Sequence, residues 1–147
     1  GRRGAVGAGP GRVVGLEAAP ARGQSREVHL PFLQEVLGDF SLVPLVVGEA
    51  SAEEVAEVLE RVWDGPGTLV VVSTDLSHYY DYETAQRLDR TTCAAIEALR
   101  FEDLGRDSAC GRVPLGGLLC LARRRGNSGD PAGDRERVVG YGAWLVG

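Results

Sequence analysis

The sequence predicts an α/β domain built on a mostly parallel sheet, and two observations carry that prediction. Leu42–Val47 and Thr68–Ser73 read as strands flanking a helix that opens at Ser51-Ala52-Glu53-Glu54. A strand–helix–strand unit implies parallel strands joined by a right-handed crossover. The second observation is the apolar, β-branched run Leu69-Val70-Val71-Val72, which reads as a buried central strand. It breaks abruptly into Ser73-Thr74-Asp75-Leu76-Ser77-His78-Tyr79, at the strand end where open α/β sheets place their ligand chemistry.

A length of 147 residues suits one compact domain, and the apolar and charged contents of 44% and 25% are those of a globular core. The net charge of −5 argues against nucleic acid as a partner. No apolar run approaches the roughly 20 residues that span a bilayer, so no membrane partner is expected. Cys93, Cys110 and Cys120 are too few and odd in number for a disulfide framework, which points to a reducing cytoplasm.

Residues 1–24 are rich in Gly, Ala, Pro and Arg, with only a brief Val13-Val14-Gly15-Leu16, and read as a disordered or non-core leader. Residues 25–147 form the domain. Glu27–Leu37 reads as a helix with Pro31 in its first turn, stopped by Gly38. Pro44 pushes the strand Leu42–Val47 toward an edge. Ser51 and Glu54 form a capping box, and Val55, Val58, Leu59 and Val62 share one helical face. Asp64-Gly65-Pro66-Gly67 turns the chain into the next strand. Tyr82–Leu99 carries a helical stripe, Phe101–Leu104 a short turn, and Pro114–Arg125 a further helix with arginines at its negative end. Val138–Val146 reads as a last strand.

Asp75 and His78 are the first chemical pair. An acid and an imidazole at this spacing beyond a strand suit general acid–base work or metal ligation; the alternative is a turn at Asp75 with His78 satisfied by backbone. Tyr79, Tyr80 and Tyr82 thicken the cluster or cover the loop's apolar side. Cys110 precedes a helix start, where backbone N–H groups and Arg112 favour an anionic sulfur; the alternative is a small buried thiol. Cys93 and Cys120 read as packing residues. His29, set between Val28 and Leu30, reads as a core or capping group.

Four stretches then give the chain a family likeness: Glu27-Val28-His29-Leu30-Pro31-Phe32-Leu33, Leu42 to Gly48, Val72 to Tyr79, and Cys110-Gly111-Arg112-Val113-Pro114-Leu115-Gly116. In this order they resemble the Memo family, including the members called AmmeMemoRadiSam system protein B. Tyr141-Gly142-Ala143-Trp144 fits that family's last strand. The resemblance implies a three-layer fold like that of class III extradiol dioxygenases (LigB-like), here incomplete. It implies a non-haem iron or copper pocket, with His78 and Cys110 as ligands, Asp75 as ligand or orienting partner, and Tyr79, Arg112 and His29 around them.

Two further family histidines, in segments resembling A-P-H-A-G-Y and G-x-x-H, have no match in this sequence. A third is replaced in Gly23-Gln24-Ser25-Arg26-Glu27. The resemblance therefore reads as the C-terminal half of a Memo protein, truncated at the N-terminus, with weak metal binding and no expected dioxygenase turnover. A peptide- or protein-binding scaffold using the same pocket is the alternative, and a dioxygenase- or hydrolase-like enzyme the third reading. A cut sheet edge also implies self-association.

Overall fold

In the computed structural model, residues 11–19, 24–63, 65, 67–106 and 108–125 are described, the side chains of 24–28 excepted. The elements run β1 (Gly11–Ala18), α1 (Gln24–Leu37), β2 (Phe40–Val47), α2 (Ala52–Val62), β3 (Thr68–Val72), α3 (Tyr82–Glu97), a 3-10 turn (Phe101–Asp103) and α4 (Arg112–Arg124). The expected strand Val138–Val146 lies outside the described residues.

The three described strands form one parallel sheet in the order β2-β1-β3. The centre of that sheet is β1, in the segment expected to be a non-core leader, and this corrects the sequence reading for residues 11–18. Val13, Val14 and Leu16 are almost completely buried. The strand was hard to read because both of its faces are covered, so its apolar residues do not alternate with polar ones, and the glycines around it imitate a linker. Among the described residues β3, expected to be central, pairs only with β1, with Leu16 opposite Val72.

Helices lie on both faces. On one, Val14 and Leu16 of β1 pack with Val55, Ala56 and Leu59 of α2 and with Cys120 and Leu121 of α4. On the other, Val13 and Gly15 meet Leu30 and Leu33 of α1 around a cavity of about 30 Å³. A second cluster joins Ala95, Ile96 and Leu99 of α3 to Leu115, Leu119 and Ala122 of α4.

The capping box forms as expected. The Glu54 amide donates to Ser51 Oγ at 3.2 Å, and the Ser51 amide donates to the Glu54 carboxylate at 2.8 Å. These bonds hold the Glu54 carboxyl below its usual range. The buried face of α2 is Val55, Ala56 and Leu59, while Val58 is turned outward. Helix α1 starts earlier than its spacing suggested, so Pro31 sits in its interior, not its first turn. Phe32, Val36 and Leu37 of α1 remain exposed.

Close approach of α2 and α4 depends on Gly117. A Cβ there would lie 2.1 Å from Val55 Cγ1 and 2.4 Å from Val55 Cβ. Small residues at a helix crossing let two backbones come nearer than the ordinary 8–10 Å axis separation.

Candidate functional site

The chain leaves β1 for α1 on one face of the sheet and leaves β3 for α3, which packs on α4 on the other. Departures to opposite faces from neighbouring parallel strands open a crevice at their carboxyl ends, the usual ligand position in doubly wound sheets. The polar residues after β3 occupy this place.

Asp75 links two of the expected site residues. Its carboxylate lies 3.4 Å from His78 Nε2, a long contact between side chains that are 68% and 43% exposed respectively. Its backbone N–H donates to Cys110 Sγ at 3.3 Å, and its C=O accepts from the Cys110 amide at 3.2 Å. His78 thus lies beside a carboxylate.

Thr74 fixes the register of that crossing. Its hydroxyl donates to the Asp75 C=O at 2.9 Å, accepts from the Gly111 amide at 2.8 Å, and lies 3.5 Å from Cys110 Sγ. Gly111 is required at this contact, because a Cβ would stand 2.7 Å from both Thr74 Cβ and Oγ1. Sequence reasoning overlooked Thr74. Its one available signal was a hydroxyl inside a polar run that follows a buried strand.

Cys110 is exposed just before α4, which begins at Arg112, so it is not the buried thiol of the alternative reading. Cys120 is buried; Cys93 is half-buried, and burial followed by the charges of Asp89 and Glu97 pushes its thiol up. Arg112 is half-buried in the first turn of α4. Tyr79 has φ of 63° and is fully exposed, so it does not cover the loop's apolar side.

His29 departs most from expectation. It is exposed, neither a core group nor a cap, and its Nε2 lies 3.0 Å from Ser73 Oγ. The pair lines the cavity under α1 together with the buried Glu17. His29 thus lies at the same strand end as Asp75, on the α1 side. Neither Ser73 nor Glu17 stood out in the sequence as a site residue, since a single Ser or Glu at a strand end carries no spacing signal.

Among the described residues no group of three His, Cys, Asp or Glu side chains is placed to hold a metal ion.

The fold and site define a class: an α/β protein with a polar crevice at the carboxyl edge of a parallel sheet. A family model described as "Memo-like protein" matches residues 17–145. A MEMO1 family protein of Thermotoga maritima is 39% identical over 136 residues, covering 82% of this chain and 49% of that protein. One from Methanosarcina acetivorans is 33% identical over 144 residues, covering 83% and 54%. One from Methanopyrus kandleri is 33% identical over 147 residues, covering 85% and 52%. The chain belongs to the Memo-like family, and it spans about half the length of the curated relatives it matches. No solved structure matches it.

Proposed function

We propose that the chain forms one wall of a metal-binding pocket in a three-layer, extradiol dioxygenase-like fold. His78 and Cys110 are its candidate ligands for iron or copper, and Asp75 is a further ligand or the group that orients His78. The observation that carries this reading is the double role of Asp75, whose side chain meets His78 while its backbone meets Cys110. Imidazole and thiolate suit copper and iron, and a carboxylate beside an imidazole fixes its tautomer. On this reading these residues alone bind the metal weakly and give no dioxygenase turnover.

Anaerobic titration with ferrous iron and with cuprous copper tests the proposal. His78→Ala and Cys110→Ala should each weaken binding about 10-fold or more. Binding that neither substitution changes overturns it.

Exposed aromatics favour a second reading, a peptide- or protein-binding module at the same edge: Tyr79 is fully exposed and Tyr82 is 76% exposed. Aromatic side chains on a surface offer large contact area at low entropic cost. Tyr79→Ala separates the readings, because it should abolish capture of a peptide while leaving metal titration unchanged.

A further inference from the structure

We propose that Asp89 of α3 is a positioning residue for His78, holding its loop from outside the site. Asp89 Oδ1 accepts from the Ser77 amide at 3.0 Å, so the residue next to His78 is fixed to α3. What that anchor means for a metal rests on the pocket reading above; the anchor itself does not.

The loop from Ser73 to Asp81 has no regular structure of its own. Its first part is tied down where Asp75 and Cys110 exchange backbone and sulfur contacts. Its last part is tied by Asp81, which caps α3 by accepting from the Thr84 amide at 3.0 Å. His78 lies between these ties, and its contact with the Asp75 carboxylate is a long 3.4 Å. Between Leu76 and Tyr80, the Ser77 amide is the one backbone group that meets a hydrogen-bond partner among the described residues.

The character of both partners argues that this tie is built into the fold. Asp89 stands in the interior of α3, where aspartate is among the poorer helix formers and neither helix end is near its charge. Its half-buried carboxylate takes a backbone N–H instead, a bond about twice as strong as one between neutral groups. Ser77 is drawn inward at the same point. Its Oγ is enclosed and meets no hydrogen-bond partner among the described residues, which opposes that placement. The Asp89 bond offsets this cost. The chain then turns outward at Tyr79, which has φ of 63° and is fully exposed. The inward step at Ser77 thus sets where His78 leaves the loop.

Amide exchange and copper titration of the full chain test the proposal. Alanine favours helix, so Asp89→Ala removes the acceptor while α3 persists; Asp89→Asn keeps an oxygen acceptor in place. In the metal-free protein the Ser77 amide should exchange about 10-fold faster in Asp89→Ala, and within about threefold of the parent in Asp89→Asn. Amides of α4 should keep their protection, which separates a released loop from an unfolded chain. Cuprous copper, titrated anaerobically, should bind Asp89→Ala about 10-fold more weakly, with Asp89→Asn near the parent. Ser77→Pro removes the same bond from the loop side and should weaken copper binding similarly. With His78→Ala already present, Asp89→Ala should change copper affinity no further.

A Ser77 amide as protected in Asp89→Ala as in the parent overturns the proposal. So does an equal loss of copper affinity when His78 is already removed. Copper binding that His78→Ala leaves unchanged overturns the pocket reading instead, and the Ser77 amide still decides the anchor.

Discussion

The Asp75 amide donates to the sulfur of Cys110 at 3.3 Å, a contact between residues 35 positions apart. The Cys110 amide returns a bond to the Asp75 C=O at 3.2 Å, so the loop after β3 and the entry to α4 hold each other in place. The side chains of His78 and Cys110 are therefore positioned by one residue between them.

Thiol reactivity should follow the placement of the three cysteines. Cys110 is exposed, Cys93 is half-buried with its thiol pushed up, and Cys120 is buried. Iodoacetamide at neutral pH should alkylate Cys110 first, Cys93 slowly, and Cys120 only on unfolding. Mass spectrometry of timed digests reads the order; Cys93 labelling ahead of Cys110 contradicts it.

Removing the Thr74 hydroxyl should loosen the junction beneath the site. Thr74→Val leaves the Gly111 amide without its 2.8 Å acceptor, at a cost of about 1–3 kcal/mol. Urea unfolding measures this, and faster alkylation of Cys110 should accompany it. A variant of parent stability and unchanged labelling would show that the loop does not need this bond.

Gly117→Ala should destabilise the chain by about 1–3 kcal/mol, because the new methyl enters the space of Val55 Cγ1, 2.1 Å away. Val55→Ala makes room, so the double variant should lose less than the sum of the two single losses. Strict additivity in a thermodynamic cycle would place the strain elsewhere.

Acid should weaken the fold through three carboxylates, two at helix caps and one paired with an arginine. Glu54, Asp81 and Glu102 are held below their usual values by bonds to Ser51, Thr84 and Arg123 respectively. A carboxyl lowered on folding stabilises the protein above its unfolded pKa, and that contribution is lost as pH falls through the folded value. The urea midpoint should thus drop between about pH 5 and pH 3, and Ser51→Ala should flatten part of the slope. A midpoint that rises over this window would reverse the sign of the argument.

Signals confined to a few neighbouring residues were legible in the chain itself. The Ser51–Glu54 box, the β2–α2–β3 unit, the extents of α3 and α4 to within a few residues, and the Asp75–His78 pair all depend on short spacings. So did the family, through short motifs kept in order. The register of β1 between β2 and β3, the bonding of His29 to Ser73, and the Thr74–Gly111–Cys110 crossing were decided only by the tertiary structure. Each unites residues that share no local pattern. Packing and backbone hydrogen bonding, not periodicity, bring them together, and the same packing left Phe32 and Val36 of α1 facing outward.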